Sequence, residues 1–338
     1  YNTFYNSSAE GVEGVNIADT TFSSNSAGGS GGAIYNDGAA DKGGKGGVMT
    51  VTDSSFTGNE AGTSGGAIYN AEGAKLILAG DNTFSGNTAA GEANDIANAG
   101  EIAVTGGTTR LESGLVNTGS VKVTGGVNDG EGNVSGTTLA VAGLDNAGSV
   151  TVDSGRLTLL DEAKGSGSIT IGNNTYDEDG TALDKASKET LDAVLDLGYD
   201  AELNRLALNR DAMLEVSDEA SVTVREVEGE GFVKVDKASA LTVGNGETSS
   251  TLGHLANAGT VNTVGEVASS SVDGADGTIN VGTGETTSSF SVSGGTAETP
   301  NTLGTVNVAK SGSSRPSQAA WLKPRTSSIR EGLKKPQG

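Results

Sequence analysis

Residue types that commonly carry out enzyme chemistry are scarce in this 338-residue chain, which holds one histidine and no cysteine. The histidine, His254, lies in the stretch TLGHLANAG beside a predicted strand, and no serine or cysteine nucleophile motif accompanies it. A turn or surface position is therefore favoured over a catalytic one. We expect no catalytic residue, no cofactor-binding residue and no bound cofactor.

Carboxylates are the other group that could do chemistry, because the chain holds 43 Asp and Glu residues. Glycoside hydrolysis needs two closely placed carboxyl groups. No adjacent Asp-Asp pair occurs in the sequence, although a pair formed between neighbouring repeats stays open. We expect no enzyme activity, with a polysaccharide lyase or glycosidase as the alternative.

Two acidic turns are weak candidates for calcium. Asp177 and Asp179 precede Gly180 with the spacing at the start of a calcium loop, but Ala186 occupies the position where Glu is expected. A second acidic turn spans residues 128–131. Solvated acidic loops are the favoured interpretation of both, so no metal site is predicted.

Composition and charge exclude several classes of protein. The net charge is −22, and an acidic surface repels nucleic acid and anionic lipid. No apolar run approaches the length of about 20 residues that a membrane-spanning helix needs. With 54 Gly and only 34% hydrophobic residues, the chain is short of the side chains that fill a large compact core. Regularly spaced β-branched residues nevertheless favour an ordered repeat protein over disorder.

The first 98 residues repeat a glycine- and asparagine-rich motif. FSSNSAGGSGGAIYN at 22–36 returns as FTGNEAGTSGGAIYN at 56–70, and a degenerate copy ends in ANDIAN at 93–98. In a parallel β-helix each coil lies about 4.8 Å above the last, so equivalent residues stack. We predict one aromatic, one aliphatic and one amide ladder, formed respectively by Phe22, Phe56 and Phe84, by Ile34, Ile68 and Ile96, and by Asn36, Asn70 and Asn98.

A second repeat pattern, NxGxVxV, follows over residues 99–310. Its two-residue alternation predicts short strands, and Gly, Asn, Asp and Ser between them suit tight turns. Several short strands in every 20–30 residues are typical of a solenoid. The predicted fold is therefore all-β, a right-handed single-stranded parallel β-helix. One short helix is predicted at 184–198, where Leu191, Val194 and Leu195 follow helical spacing and Gly198 could cap the end.

Residues 311–338 form a basic tail with six of the 21 basic residues, one acidic residue and the only Trp. We predict that this tail is disordered, and its abrupt change in composition suggests a non-native end. A basic anchor for an anionic surface is the alternative. The predicted domains are thus 1–98, 99–310 and 311–338.

The motif pair FxxN and GGAI resembles the repeats of chlamydial polymorphic membrane proteins and related autotransporter passengers. Phe22 to Asn25 with Gly31 to Ile34 carries the resemblance, as does Phe56 to Asn59 with Gly65 to Ile68. The resemblance implies a pectin-lyase-like β-helix, export through an outer membrane, and display as a virulence-associated adhesin on a Gram-negative bacterium. It also implies an outer-membrane translocator barrel as a partner, so we expect this chain, which begins mid-repeat, to be a passenger fragment.

The expected function is that of a secreted or cell-surface adhesin, a β-helix that presents loops to host or neighbouring-cell surfaces. The partner would be a surface glycan or protein, bound through the loops at 37–47, 124–136, 172–200 and 244–253, which vary most. Open strand edges at the two ends could also drive end-to-end self-association. A passive surface spacer is a further alternative.

Overall fold

The protein is a parallel β-helix in the computed structural model, which describes residues 4–6, 14–38, 47–130, 133–173, 191–282, 287–294, 300–309, 312–316 and 329–331. No helix occurs among these residues, and nearly all the strand pairings are parallel. The predicted all-β parallel β-helix is confirmed. The chain divides into two compact units: unit 1 comprises residues 1–173 and 192–194, and unit 2 comprises 174–191 and 195–338.

Unit 1 is built from three stacks of strands, one on each side of the coil. Stack A contains Phe4–Asn6, Ile34–Asn36, Ile68–Asn70, Ile96–Asn98, Leu115–Asn117, Leu144–Asn146 and Ala163–Lys164. Stack B contains Val15–Ala18, Val48–Thr52, Lys75–Ala79, Glu101–Val104, Ser120–Val123, Ser149–Val152 and Ser168–Ile171. Stack C contains Thr21–Ser23, Ser55–Thr57, Asn82–Ser85, Gly107–Leu111, Thr137–Val141 and Gly155–Leu159.

Shorter strands occupy the turns of unit 1. Ser26–Ala27, Glu60–Ala61 and Thr88–Ala89 pair in parallel, and Glu92–Ala93 folds back antiparallel on Thr88–Ala89. A second antiparallel hairpin joins Val127–Asn128 to Val134–Ser135. These turns are where the coil departs from its regular cross-section.

Unit 2 uses longer strands, several of which run through a bend from one side of the coil to the next. Glu266–Val281, for example, pairs first with Ser250–Asn257 and later with Thr260–Thr263. The other strands of this unit are Ala201–Leu208, Ala212–Val216, Ser221–Gly229, Phe232–Val235, Ala240–Val243, Ser288–Val292, Thr302–Val308, Gly312–Pro316 and Ile329–Glu331.

Alternation of apolar and polar residues fixes which side of each strand faces the core. In Ser120–Val123 the two valines are buried while Ser120 and Lys122 point outward. Val104, Val123 and Val152 lie in register on successive coils and are completely buried. A one-residue slip would expose each of these side chains, so the alternation sets the register of the stack.

The predicted helix at 184–198 is wrong in its final part, because Ala193–Leu197 is a strand. Leu195 and Leu197 are buried and Asp196 between them is less so, which is the two-residue period of a strand. The apolar spacing at 191–195 fits both a helix and a strand, since the segment is short and buried. Residues 184–190 lie outside the described residues.

The predicted domain limits concern repeat patterns, and they stay a prediction. Within the predicted basic tail, Gly312–Pro316 and Ile329–Glu331 are parallel strands paired with Ser288–Val292 and Thr302–Val308, and all its other residues lie outside the described part of the chain. Over the described residues, no helix is long and apolar enough to cross a membrane.

Candidate binding surfaces

Equivalent residues of the first three coils stack inside unit 1. The ring centroids of Phe22 and Phe56 are 4.8 Å apart, those of Phe56 and Phe84 are 4.5 Å apart, and the rings are nearly parallel. Beside them, Ile34, Ile68 and Ile96 pair in register and are completely buried. These two ladders are interior packing, and they offer no group to a ligand.

A buried amide ladder follows the corner between stacks A and B. The Asn36 Nδ2 donates to Asn70 Oδ1 at 2.8 Å, and the same bond repeats from Asn70 to Asn98, from Asn98 to Asn117 and from Asn117 to Asn146. Each amide also donates to a backbone carbonyl of the next coil, as Asn70 does to Glu101 at 3.0 Å. All five side chains are buried, so these bonds supply partners that water cannot.

A second amide ladder ends on a buried acid. Asn25 Nδ2 donates to Asn59 Oδ1 at 2.8 Å, Asn59 donates to Asn87 at 2.9 Å, and Asn87 donates to Asp95 Oδ1 at 2.7 Å. Asp95 is completely buried, and its Oδ2 accepts the backbone N–H of Ser113 at 2.7 Å. Burial raises the pKa of Asp95 to about 6, against the opposing effect of its two hydrogen-bond donors.

The paired glycines of GGAIYN hold the turn that precedes stack A. Gly65 has a φ of 66°, and a Cβ there would lie 2.2 Å from the carbonyl oxygen of Ile68. The next residue, Gly66, faces the neighbouring coil, where a Cβ would lie 2.4 Å from the carbonyl oxygen of Asn94. One glycine is therefore required by backbone conformation and the other by the close approach of two coils.

A groove of about 560 Å³ opens where the coil of unit 1 becomes smaller. Between stacks C and A the chain spends 11 residues from Phe84 to Ile96 but only three from Leu111 to Leu115. The larger turn carries the hairpin 88–93, whose tip has positive φ at Ala90 and Gly91. The hairpin therefore projects beside the smaller coils and forms one wall.

The groove combines an apolar floor with charged residues. Its floor includes Ala97 and Val116, neighbours in the outward row of stack A, and Val116 is 37% exposed. In the same row, on the preceding coils, the rings of Tyr35 and Tyr69 lie 5.1 Å apart. The charged residues that line the groove are Glu92, Asp145, Asp161, Glu162 and Lys164.

Unit 2 presents a different surface, an uncharged face of two outward rows, which we call the Thr/Asn face. One row contains Ala240, Thr260, Thr278 and Thr305, and the other contains Thr242, Asn262, Asn280 and Asn307. Asn307 Nδ2 donates to Asn280 Oδ1 and Asn280 Nδ2 to Asn262 Oδ1, each at 2.8 Å, and Asn262 Nδ2 donates to Thr242 Oγ1 at 3.2 Å. The half-buried side chains of the second row are thus held in fixed orientations at the surface.

The first two repeats, with their stacked Phe, Ile and Asn residues, match a known family. Residues 19–37 and 53–71 each match the model of the Chlamydia polymorphic membrane protein repeat. The two matches cover 38 of the 338 residues, and this similarity suggests a surface protein of the autotransporter passenger type. A search of curated proteins finds no match to this chain, and neither does a search of solved structures.

Of the other residues singled out in the sequence, the structure describes His254. His254 lies within Ser250–Asn257, its ring packs on Phe232 with centroids 4.4 Å apart, and its Nδ1 is 2.8 Å from Ser271 Oγ. Asp177 and Asp179 lie outside the described residues. Within the described residues, no group of three or more His, Cys, Asp or Glu side chains could hold a metal ion.

The predicted contact loops are described only in part. Loop 124–136 contains the hairpin noted above, in which Asn133 Nδ2 donates to Asp129 Oδ2 at 2.7 Å and Val127 is 63% exposed. In loop 244–253, Asn245 Oδ1 accepts the N–H groups of Glu247 and Thr248, and the last residues join a strand. Residues 39–46, 131–132 and 174–190 of the predicted loops lie outside the described part.

Sequence reasoning missed Asp95, the groove and the Thr/Asn face. Asp95 had a signal, because the degenerate third repeat replaces the alanine of GGAI with this acid, at the position of Ala67. The groove also had a signal in the sequence, namely the short spacing between Leu111 and Leu115. The Thr/Asn face could be read from the outward positions of each NxGxVxV unit, taken together instead of strand by strand.

Proposed function

We propose that this chain is an adhesin-type passenger that binds neutral carbohydrate on a host or neighbouring cell through the Thr/Asn face of unit 2. The observation that carries the proposal is a pair of outward rows over four successive coils, in which seven of the eight side chains are uncharged hydrogen-bonding groups. In a chain with a net charge of −22, eight outward positions over four coils without a charged residue form a distinct surface, which ends where Arg330 follows Asn307 in register.

Carbohydrate suits this surface on chemical grounds. Hydroxyl and amide groups both donate and accept hydrogen bonds, which matches the hydroxyl groups of a neutral glycan. The amide ladder fixes Asn262, Asn280 and Asn307, so less conformational entropy is lost on binding. Rows that repeat about every 4.8 Å offer many equivalent weak contacts, which add when several are made at once.

Binding is favoured over polysaccharide processing, the alternative function. The groove of unit 1 contains carboxylates, but Glu92, Asp161 and Glu162 are exposed. A general acid for glycoside cleavage needs surroundings that raise its pKa, usually by burial. Burial raises the pKa of Asp95, but both of its oxygens accept hydrogen bonds within the fold.

The test is retention of the protein on insoluble neutral polysaccharides such as cellulose and chitin, with immobilised heparin as the anionic comparison. Thr278→Arg places a bulky charge in the middle of the Thr/Asn face, and we expect it to lower retention about tenfold by blocking neighbouring contacts. Thr151→Arg is the matched control, because Thr151 is also a half-buried, outward threonine, on stack B of unit 1.

Equal retention of both variants and the unmodified protein would contradict the proposed face. Failure of the unmodified protein to bind any neutral polysaccharide or glycan array would contradict carbohydrate adhesion itself and favour the spacer. Release of reducing sugar from the polysaccharide would favour the enzyme.

A further inference from the structure

We propose that the groove of unit 1 is a second binding site, and that it takes an extended, basic segment of a partner protein. This site lies in the other unit from the Thr/Asn face and uses different chemistry. It therefore does not depend on carbohydrate binding, and each proposal can fail alone.

The groove is a consequence of the fold and does not depend on one side-chain position. The large turn at 85–95 belongs to the third coil, and the turns of the next coils are short, so the wall and the floor come from different coils. Asp95 fixes the two together, because one carboxylate oxygen accepts from Asn87 at the base of the hairpin and the other from Ser113 beside the floor. A volume of about 560 Å³ is in the range of ligand-binding clefts.

The wall of the groove offers backbone pairing to a peptide. Glu92–Ala93 is the last strand of its small sheet, in which it pairs only with Thr88–Ala89 among the described residues. Both Glu92 and Ala93 line the groove. An unpaired strand edge can accept an extended segment by main-chain hydrogen bonds, which a sugar chain cannot reproduce.

The charge of the lining selects a basic segment. Four carboxylates and one ammonium group face the groove, and none of the five forms an ion pair within the described part of the chain. Lysine or arginine side chains entering the groove would place their aliphatic stems over Ala97 and Val116 and their charged ends near Asp145 and the turn at 161–162. An acidic or phosphorylated partner would be repelled.

The experiment measures fluorescence anisotropy of a labelled peptide of alternating lysine and serine, titrated with the whole chain. The charge-reversed probe is the glutamate and serine peptide. We expect the basic peptide alone to bind, and its Kd to rise several-fold between about 20 mM and about 150 mM salt as the charges are screened.

Two variants test the location. Asp161→Asn with Glu162→Gln removes two exposed charges from the groove without touching the core, and we expect the Kd to rise about tenfold. Val116→Arg fills the floor from an exposed position and should abolish binding. The matched control is Glu72→Gln, an exposed charge in the turn between stacks A and B, which should change the Kd less than about twofold.

Three outcomes would overturn the proposal: no binding of the basic peptide by the unmodified chain, equal loss of binding in the Glu72 control, or equal binding of the acidic peptide. If Val116→Arg lost binding to neutral polysaccharide and Thr278→Arg kept it, the groove would be assigned to carbohydrate instead. If retention on polysaccharide depended only on Thr278, the adhesin proposal would be supported whether or not the basic peptide binds the groove.

Discussion

Asparagine ladders occur in both units, but their side chains face the core in unit 1 and the outside of the coil in unit 2. In unit 1 the chain of amides from Asn36 to Asn146 is buried in the corner between two strand stacks. In unit 2 the chain from Asn262 to Asn307 lies on the outward side of the strands. The amide-to-amide distance is the same, 2.8 Å, in each case.

The difference shows that register decides what a repeated residue does. Inside, each amide donates to the next amide and to a backbone carbonyl of the next coil, so loss of one side chain removes several buried hydrogen bonds at once. Outside, water can replace every lost bond, so the ladder adds little stability and instead orders a surface. The same residue is therefore structural in one unit and available for binding in the other.

The largest effect should come from the aromatic ladder of unit 1. Phe56 is completely buried between Phe22 and Phe84, and Phe56→Ala should lower the free energy of unfolding by about 3–5 kcal/mol. Phe232 in unit 2 is only half-buried against His254, so Phe232→Ala should cost about 1–2 kcal/mol. Urea denaturation measures the unfolding free energy of both variants. Equal decreases would mean that stacking between two other phenylalanines adds nothing to the stability that Phe56 provides.

The two asparagine ladders should respond differently to the same change. Asn70→Ala removes a side chain that accepts from Asn36 and donates to Asn98 and Glu101, and should cost about 2–4 kcal/mol. Asn280→Ala breaks two bonds of the same length at the surface and should cost less than about 1 kcal/mol. A large loss for Asn280 would show that the outer ladder also holds the fold.

Asp95 should make unit 1 more stable in mild acid. Its folded pKa, about 6, is above the ordinary 3.8, so the folded state binds the proton more tightly than the unfolded chain does. The stabilisation is fully present below about pH 4 and is lost as the pH rises through 6, amounting to about 3 kcal/mol at most. Urea denaturation at about pH 7.5 and about pH 5 measures the part of this change that falls between those values.

Asp95→Asn is the control for that pH dependence, because an amide of the same shape does not titrate. The difference in unfolding free energy between the two pH values should shrink in this variant. An unchanged difference would assign the effect to the 42 remaining acidic residues, whose mutual repulsion also weakens in acid.

The sequence predicted those features of the fold that repeat. Recurrence of Phe, Ile and Asn at one interval per coil requires stacking, and two-residue alternation requires strands, so the parallel β-helix follows from residues such as Phe56, Val121 and Val123. The strand at Ala193–Leu197 was predicted as helix because one short segment carries no repeat to compare with.

Features that depend on a difference between coils were harder to predict. The groove exists because the turn after Phe84 is long and the turn after Leu111 is short, and neither turn contains a recognisable motif. The raised pKa of Asp95 likewise depends on its complete burial in the folded coil. Local sequence gives the residue types at such a site, but only the stacking of the coils gives their environment.

The smallest effect should come from the exposed ion pairs. Lys234 Nζ lies 2.6 Å from Glu215 Oε1 and 3.3 Å from Asp236 Oδ1, on a part of unit 2 where the lysine is 40% exposed. Lys234→Met keeps the aliphatic stem and removes the charge, and should cost less than about 1 kcal/mol, falling further as salt screens the pair. If Lys234→Met lowered the free energy of unfolding as much as Asn70→Ala does, surface charge and not the buried ladder would distinguish the two units. This variant therefore sets the lower limit against which the effects of the ladder variants are judged.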